Sequence, residues 1–429
     1  MTPLPSQPNN TAVPKHYPFI LDADFSNDRT DGLHSEFISA KPFNHVVIDN
    51  FLSPDHARFL SDNFPKPDNP VWLDWKKRSP HHYGKLGPGN SSKFHLLEPD
   101  FKFALHELNS SVFLQFLERV SGIDKLLPDP YYQGGGIHQI LHGGILDIHT
   151  DFNAYTRLGI FRQLNVIIYL NEQWEPEYGG EFELWNAGRT DGGKCVKSIP
   201  PLFNRAVIFK TDKTSFHGHP QEWLAPPPMT RRSVALYYYT AHKLDGFEYT
   251  TLTDFQGVRS KDLPQSEQTK PMGRFECCMR SLARLTRHFF PGITALKTRT
   301  HEIAPCLNPG DEHYRAYVGP PGDYDLVSAM VFNLLTCAGL RQHHRLLDIG
   351  CGSLRVGRLL IPYLNQGNYF GVEPNKWLVE DGIANETGKD LMKLKQPTFH
   401  SSHAWKIFSR LSIWTMRLPN RFSAIAAQI

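Results

Sequence analysis

The chain has 429 residues, more than one compact domain of about 100 to 200 residues, and this length predicts two or three domains. Hydrophobic residues make up 40% and charged residues 21% of the chain, as in ordinary globular proteins, which excludes disorder throughout. Lys and Arg number 46 against 43 Asp and Glu, so the chain lacks the concentrated positive charge of a nucleic-acid-binding protein.

The same composition bears on the compartment. Six cysteines are too few and too scattered for a disulfide framework or a zinc-ligand set. The polar, Pro-rich N-terminus has no apolar core of a secretory signal, and no window approaches the roughly 18 apolar residues of a membrane span. We therefore expect a soluble, cytoplasmic protein without a membrane partner.

The first elements lie behind a polar leader. Residues 1–42 carry little hydrophobic periodicity, which predicts a leader that is at most partly ordered. Residues 45–51 (HVVIDNF) predict a short strand, and Ser53 followed by Pro54 is typical of a helix start. Apolar residues at helical spacing predict one helix over 100–120.

Short β-rich runs follow and indicate a second kind of structure. They are separated by Gly, Pro and Asn, and they comprise 166–170, 181–185, 206–209 and 233–239. Several such strands predict a sandwich or jelly roll. From 244 to 315 the strand pattern ends, and Arg280, Arg284 and Arg287 at helical spacing favour a linker that is partly a solvated helix.

One segment of the β-rich region has the residues of a metal site. GGILDIHTDFN places His149 and Asp151 two residues apart, so that in an extended chain both side chains project from one face. An isolated His-x-Asp arises by chance, but a later strand ends at His217, with His219 as an alternative on the same face. Two imidazoles and one carboxylate on one face of an octahedral ion are typical of non-haem Fe(II) oxygenases.

The positions that such a triad leaves open would take a cosubstrate and dioxygen. 2-Oxoglutarate can chelate two of them, and its distal carboxylate then needs a fixed cation. Arg232, on the strand after the second histidine, is the candidate, and Arg231 is the alternative. His138 and His142 are more typical of a substrate pocket or of structural histidines than of ligands.

Taken in order, the motifs HTDFN, RQLNVIIYLNEQW, YGGEFELW, FNRAVIF, SFHGHP and RRSVALYYYT resemble the 2-oxoglutarate and Fe(II)-dependent oxygenases, in their prolyl 4-hydroxylase-like branch. The resemblance covers residues 43–243. It implies a double-stranded β-helix with flanking helices, iron ligands at His149, Asp151 and His217, and a 2-oxoglutarate anchor at Arg232. It also implies that Tyr169 hydrogen-bonds the cosubstrate, although inside an apolar run Tyr169 can equally be core.

That resemblance implies hydroxylation of an unactivated C–H bond with release of succinate and carbon dioxide, supported by ascorbate. The substrate stays open between a prolyl residue, a free amino acid and a sugar-linked metabolite, and the oligomeric state is open too. Trp174 and Tyr178 are candidates for the mouth of the pocket or for packing.

A second motif lies near the C-terminus, after a predicted helix (DLVSAMVFNLLTCAGL). In HHRLLDIGCGSLRVGRLL an apolar strand leads through Asp348, Gly350 and Gly352 into a helix from near Leu354. A second strand ends at Glu373, where an acidic side chain can accept from both ribose hydroxyls.

These residues resemble the start of a class I S-adenosylmethionine-dependent methyltransferase over 316–390 and more loosely as far as 429, so that the domain is placed at 316–429. The resemblance implies a partial, doubly wound (Rossmann-like) α/β domain, with the cofactor at Asp348, Gly350, Gly352 and Glu373. Because only 81 residues follow Asp348, strands five to seven of seven would be missing, and a truncated domain is expected with strand four beginning in FSAIAAQI. The alternative function is methyl transfer to a saccharide or secondary metabolite, with the oxygenase as pathway partner. A third reading is a binding module that has lost its iron, which the triad argues against.

Overall fold

The computed structural model describes residues 27–74, 80–245, 248–256 and 307–401. Four helices lie outside the β-sheets in the first half: α1 Asn27–Ser39, α2 Pro54–Asp62, α3 Pro99–Glu107 and α4 Ser111–Ser121. Short 3-10 turns are Pro80–His82, Ser91–Leu96, Pro176–Tyr178, Arg189–Asp191 and Pro321–Asp323. Among these ranges, no helix has the length and apolarity that crossing a membrane requires.

The helices differ from the sequence prediction at two places. Helix α1 falls within the predicted leader, whose residues 1–26 lie outside the described ranges. The single helix predicted over 100–120 is wrong, because the chain breaks between α3 and α4. At the break the Ser110 side chain accepts from the Phe113 backbone N–H and caps a new helix instead of continuing the old one. Pro54 begins α2 as predicted, although Ser53 makes no capping bond.

The β-strands form two antiparallel sheets. The larger runs β1-β11-β8-β13-β5-β3-β2, with β4 beside β13 and β7 beside β8, and the smaller runs β10-β9-β12-β6-β14. The bounds of the larger sheet are β1 His45–Ile48, β2 Leu73–Asp74, β3 Lys85–Gly87, β4 Leu127–Pro128, β5 Gly136–Ile140, β7 Ala154–Tyr155, β8 Ile160–Tyr169, β11 Ala206–Lys210 and β13 Arg231–Thr240. Those of the smaller sheet are β6 Leu146–Thr150, β9 Phe182–Trp185, β10 Cys195–Ile199, β12 Phe216–His219 and β14 Asp254–Phe255.

Each predicted β-rich run is a strand, and the apolar side chains of the two sheets meet. A cluster that includes Phe182 and Leu184 of the smaller sheet packs on Val207 and Phe209 of the larger. The helices pack on the larger sheet within one buried core that includes Phe113. The antiparallel sheets are consistent with the predicted double-stranded β-helix.

The prediction that strand structure ends at residue 244 is wrong. Strand β14 pairs with β6, so that Phe255 lies opposite His149 and Asp254 opposite Thr150. A two-residue strand carries no periodic signal, and only its partner makes it a strand. The predicted basic helix at 280–287 lies outside the described residues.

The described C-terminal segment is an α/β unit. Its helices are α5 Tyr324–Cys337, α6 Gly357–Tyr363, α7 Lys376–Gly382, which continues into the π-turn Ile383–Thr387, and α8 Lys389–Lys395. Its strands are β15 Leu346–Ile349, β16 Tyr369–Val372 and β17 Thr398–His400, all parallel and in that order. A helix thus begins three residues later than the predicted start at Leu354. The predicted fourth strand lies outside the described residues, and the partial doubly wound (Rossmann-like) domain stays a prediction.

Direct contacts join this segment to the first half. The Lys395 Nζ donates to Ser111 Oγ at 2.6 Å, and both side chains are buried. The Lys102 ammonium of α3 donates to the Asn385 backbone carbonyl. Gly388 lies so close to α3 that a Cβ on it would approach the Phe103 ring to 2.6 Å. The two segments therefore share packed surfaces.

Candidate metal centre

Three predicted ligands come together between the two sheets. His149 lies on β6 and His217 on β12, and the antiparallel pairing of these strands places the two histidines directly opposite each other. Asp151 follows β6, with its Oδ1 3.6 Å from His149 Nε2 and its Oδ2 3.3 Å from His217 Nε2. One ligand atom from each residue lies within 4.8 Å of the other two, a separation that one metal ion can span.

Backbone carbonyls fix the tautomers of both histidines. His149 Nδ1 donates to the Asp147 carbonyl and His217 Nδ1 to the Ser215 carbonyl, each at 2.7 Å. Because a carbonyl only accepts, Nδ1 carries the proton and the Nε2 lone pair faces Asp151. Burial, and then the neighbouring His217, lower the pKa of His149. A neutral imidazole is the form that binds a metal.

Two buried side chains orient Asp151. Its Oδ2 accepts from Arg162 Nη2 and from Asn165 Nδ2, both at 2.8 Å. The Arg162 guanidinium lies 3.3 Å above the centre of the Tyr237 ring. Burial alone would raise the pKa of Asp151, but the neighbouring Arg162 guanidinium holds it well below its usual range. Asp151 is therefore an ionised carboxylate whose Oδ1 carries neither of these two bonds.

The triad opens into a cavity of about 280 Å3 between the sheets. The walls near the triad are apolar and include Phe182 and Phe209, whose ring centres lie 5.5 and 4.8 Å from that of His217. Polar and charged side chains also line it: His82, Lys85, Gln133, His138, Arg162, Asn165, His219, Arg231, Ser233 and Thr253.

The prediction of Arg232 as the cation of this cavity is wrong, and the alternative, Arg231, lies there. Arg231 is buried, and its Nε donates to the Gly180 carbonyl at 2.6 Å. Arg232, the next residue on β13, projects from the other face and donates to the Ser61 carbonyl at 3.2 Å. Successive residues of a strand alternate between faces, so a one-residue difference decides which arginine enters the cavity.

Tyr169 lies next to Arg231. Its hydroxyl is 3.4 Å from Arg231 Nη2, and the guanidinium carbon is 4.9 Å from the ring centre. The side chain is fully buried in the cluster between the sheets. The alternative that Tyr169 is core thus describes its position, and its hydrogen bond to a cosubstrate stays a prediction.

The remaining candidates divide between the cavity and the packing around it. His219 lines the cavity but is not part of the triad, because the pairing of β12 with β6 shifts register after His217. His138 also lines the cavity, whereas His142 Nδ1 bonds the Ala225 carbonyl at 3.0 Å. Of the two alternatives for Trp174 and Tyr178, packing describes their position, since both pack on Trp223 and neither lines the cavity.

Sequence reasoning missed three polar residues of the site. Arg162 and Asn165 are fully buried on β8, and a charged residue inside the apolar strand FRQLNVIIYL was a signal for them. Lys85 lies on the three-residue strand β3 and reaches the cavity only through the pairing of β3 with β5. No local pattern marks it.

The structure also brings the second set of predicted residues together, at the carboxyl ends of β15 and β16. Gly352 N–H donates to Glu373 Oε2 at 3.0 Å, and Asn375 N–H donates to Oε1 at 2.9 Å. Gly350 and Gly352 have φ of 76° and 53°, conformations that favour glycine. Asp348 Oδ2 accepts from the Tyr369 hydroxyl at 2.7 Å, and burial raises the pKa of Asp348 to about 6.

Comparison with known proteins identifies the first site. Residues 135–239 match the model of the 2OG-Fe(II) oxygenase superfamily. This segment is a 2OG-Fe(II) oxygenase domain. The name of the family describes an oxygenase, which is a class of oxidoreductase. The matched segment contains His149, Asp151, His217 and Arg231, so the family implies Fe(II) and 2-oxoglutarate for the residues described above.

Prolyl hydroxylases are among the similar proteins. Mouse (Mus musculus) prolyl 3-hydroxylase OGFOD1 is 24% identical over 188 residues, which are 41% of this chain and 29% of OGFOD1. The chain thus spans less than a third of the length of that relative. A Trichoplax adhaerens prolyl hydroxylase in complex with a hypoxia inducible factor peptide has 19% identity and a TM-score of 0.34, covering 50% of this chain and 91% of its own. A Pseudomonas putida prolyl-4-hydroxylase has 16% identity and a TM-score of 0.33, and the match covers 49% of this chain and 98% of the Pseudomonas chain.

Proposed function

We propose that this chain is a 2-oxoglutarate- and Fe(II)-dependent dioxygenase that hydroxylates an unactivated C–H bond, with release of succinate and carbon dioxide. The observation that carries the proposal is the convergence of two Nε2 lone pairs and one ionised carboxylate, from His149, His217 and Asp151, at the wall of the cavity between the sheets. This donor set fits Fe(II) and leaves coordination positions open. When bound, the iron supplies the oxidising chemistry.

The side chains around the triad have separate tasks in this proposal. Arg162 and Asn165 hold Asp151 Oδ2, so that Oδ1 is the oxygen presented to the metal. Arg231 binds the distal carboxylate of 2-oxoglutarate, because it lines the cavity with its Nε fixed by the Gly180 carbonyl.

The apolar walls serve to exclude water. Ile167, Phe182 and Phe209 line the cavity beside the triad and offer no hydrogen-bonding side chain. A dry site strengthens the interaction of Arg231 with a carboxylate and protects a reactive centre from side reactions.

The prolyl hydroxylase relatives support a substrate of the prolyl type, either peptidyl or a small molecule, as the finer proposal. Ascorbate is proposed as a helper that keeps the iron ferrous. The deciding experiment measures succinate formed from 2-oxoglutarate by the full chain with Fe(II), oxygen and ascorbate, beside His149→Ala. Succinate that the variant does not form supports the proposal. No succinate, together with no stoichiometric metal in the parent protein, refutes it.

A second candidate function belongs to the C-terminal segment. The adjacency of Glu373 to the Gly350–Gly352 turn at the ends of two parallel strands favours binding of a ribose-containing cofactor, for which we propose S-adenosylmethionine. Equilibrium dialysis with radiolabelled S-adenosylmethionine tests this. Binding by the parent chain that Glu373→Ala abolishes is expected, and no saturable binding refutes it.

A further inference from the structure

A second cation lies on the same cavity wall as Arg231. Lys85 of β3 is paired directly with Ile140 of β5, and Ile140 is paired directly with Arg231 of β13. Directly paired residues project from the same face of a sheet, and all three line the cavity. Because neighbouring strands lie about 4.8 Å apart, the backbones of Lys85 and Arg231 are separated by about two strand spacings.

The Lys85 ammonium has no counter-ion in the described part of the chain. Among the residues that the structure describes, no carboxylate lies within ion-pair distance of its ammonium. Burial, together with the charges of Arg162 and Arg231 and against the opposing charge of Asp151, lowers the pKa of Lys85 to about 8. Lys85 is partly buried. An ammonium that is partly withdrawn from water without a partner destabilises the fold, which is typical of a side chain that is paired only when a ligand binds.

The charge balance of the cavity points to the sign of that ligand. Asp151 is the one carboxylate among the described lining residues, and Arg162 already pairs with it. Arg231 and Lys85 are then two cations in excess, before a ferrous ion adds two more positive charges. 2-Oxoglutarate brings two carboxylates, one for the metal and one for Arg231. The charge of Lys85 is still uncompensated after the cosubstrate binds.

The size of the cavity limits what else can enter. About 280 Å3 lies near the lower end of ligand pockets, which span about 300 to 1,000 Å3. 2-Oxoglutarate takes part of that space. The remainder suits a group about the size of one amino-acid residue.

We propose that Lys85 binds a carboxylate of the substrate, so that the molecule hydroxylated carries an acidic group within one residue of the reacting carbon. This inference rests on the proposed function. It adds that Arg231 binds 2-oxoglutarate and Lys85 binds the substrate. The two cations lie on the same face of the larger sheet, with Ile140 of β5 between them. A neutral prolyl side chain alone would leave Lys85 unpaired.

The test is a binding experiment without turnover. The full chain is loaded with Mn(II) and saturating 2-oxoglutarate and titrated calorimetrically with two pairs of probes. N-acetyl-L-proline against N-acetyl-L-prolinamide tests a free carboxylate. The amide-capped dipeptides N-acetyl-Pro-Asp and N-acetyl-Pro-Asn test an acidic side chain in a peptide.

One acid is expected to bind at least about tenfold more tightly than its amide, the effect of one charge-assisted hydrogen bond. Lys85→Met should abolish that preference and Lys85→Arg should keep it. Lys213→Met, at an exposed lysine, is the matched control and should keep it too.

Three results would overturn the inference. The first is equal binding of acid and amide by the parent chain in both pairs. The second is a loss of 2-oxoglutarate affinity in Lys85→Met as large as that in Arg231→Met, which would make Lys85 a cosubstrate anchor instead. The third is a parent chain that binds no 2-oxoglutarate in the presence of Mn(II). Only that third result contradicts the proposed function as well, so the two failures are distinguishable.

Discussion

The neighbouring arginines of β13 provide a sharp test of the cosubstrate site. Arg231 is buried at the cavity and Arg232 projects from the opposite face of the same strand. Arg231→Met and Arg232→Met each remove one positive charge and nearly the same side-chain volume, at positions one residue apart. We expect Arg231→Met to lose 2-oxoglutarate binding and Arg232→Met to retain it.

The magnitude follows from the donors that Arg231 has left. A guanidinium has five N–H groups; Nε–H bonds the Gly180 carbonyl and one Nη2–H points at the Tyr169 hydroxyl. Three N–H groups are left, enough for a bidentate contact with a carboxylate. Two charge-assisted bonds contribute about 3 kcal/mol or more, so Arg231→Met should raise the Kd for 2-oxoglutarate about a hundredfold. Arg232→Met should change it by less than about threefold.

Calorimetric titration of the Mn(II)-loaded chain with 2-oxoglutarate measures both constants. Arg231→Lys serves as a further variant, since a lysine keeps the charge and loses the bidentate geometry; an intermediate Kd is expected. Thermal unfolding of each variant shows whether the fold is retained, because Arg231 also bonds the Gly180 carbonyl. An unchanged Kd in Arg231→Met, or an equal loss in Arg232→Met, would refute the assignment.

Three further predictions concern the metal, the packing of the C-terminal segment and pH. His217→Ala should lose stoichiometric Mn(II) binding, measured by equilibrium dialysis, while His219→Ala keeps it; the reverse would exchange the ligands. Gly388→Ala should lower the free energy of unfolding by about 2 kcal/mol or more, because φ of Gly388 is +76° and a Cβ there would overlap α3. Gly322→Ala is the control: a Cβ at Gly322 meets no atom within 4 Å, so this variant should have little effect. Burial raises the pKa of Asp129 to about 7, so the folded chain binds more protons than the unfolded chain between pH about 4 and 7. The free energy of unfolding therefore falls as pH rises through that window. Urea unfolding at pH 5 and pH 8 should show this difference in stability, and Asp129→Asn should reduce it.

The metal triad could be predicted from the sequence because its geometry is mostly local. His149 and Asp151 are two residues apart on an extended segment, so their side chains project from the same face independently of the tertiary structure. His217 needed only the order of the motifs along the chain. The element types of the oxygenase segment were predictable for the same reason, since period-two runs are a local signal.

The cations of the cavity could not be assigned in this way because register is a long-range property. Arg231 and Arg232 differ only in which face of β13 they occupy, and the pairing of Arg231 with Ile140 of β5 decides that. A Pro-rich loop precedes the strand, so counting residues from His217 does not give the register. Lys85 depends on one further pairing, that of β3 with β5, across a strand of three residues.

The C-terminal segment adds a buried ionic network whose strength can be tested. Glu386 accepts from Arg315 Nη2 at 2.5 Å and Asp325 accepts from Arg315 Nη1 at 2.8 Å. Arg358 forms an ion pair with Asp325 at 2.8 Å, and all four side chains are buried. Burial opposes ionisation of Glu386, but the arginines hold its pKa well below the usual range. Removing the charge of Glu386 leaves a buried guanidinium uncompensated, so Glu386→Gln should lower the free energy of unfolding by about 3 to 5 kcal/mol at pH 7. The control is Glu380→Gln at an exposed position, which should change the free energy of unfolding by less than about 0.5 kcal/mol. The pKa of Glu386 is lower in the folded than in the unfolded chain, so its stabilisation is present above the unfolded pKa of a glutamate and is lost as pH falls. The free energies of unfolding of the two variants, measured with urea, should therefore converge at acid pH. Equal stability of the two variants at pH 7 would show that the network is balanced by its own desolvation and contributes nothing net to this segment.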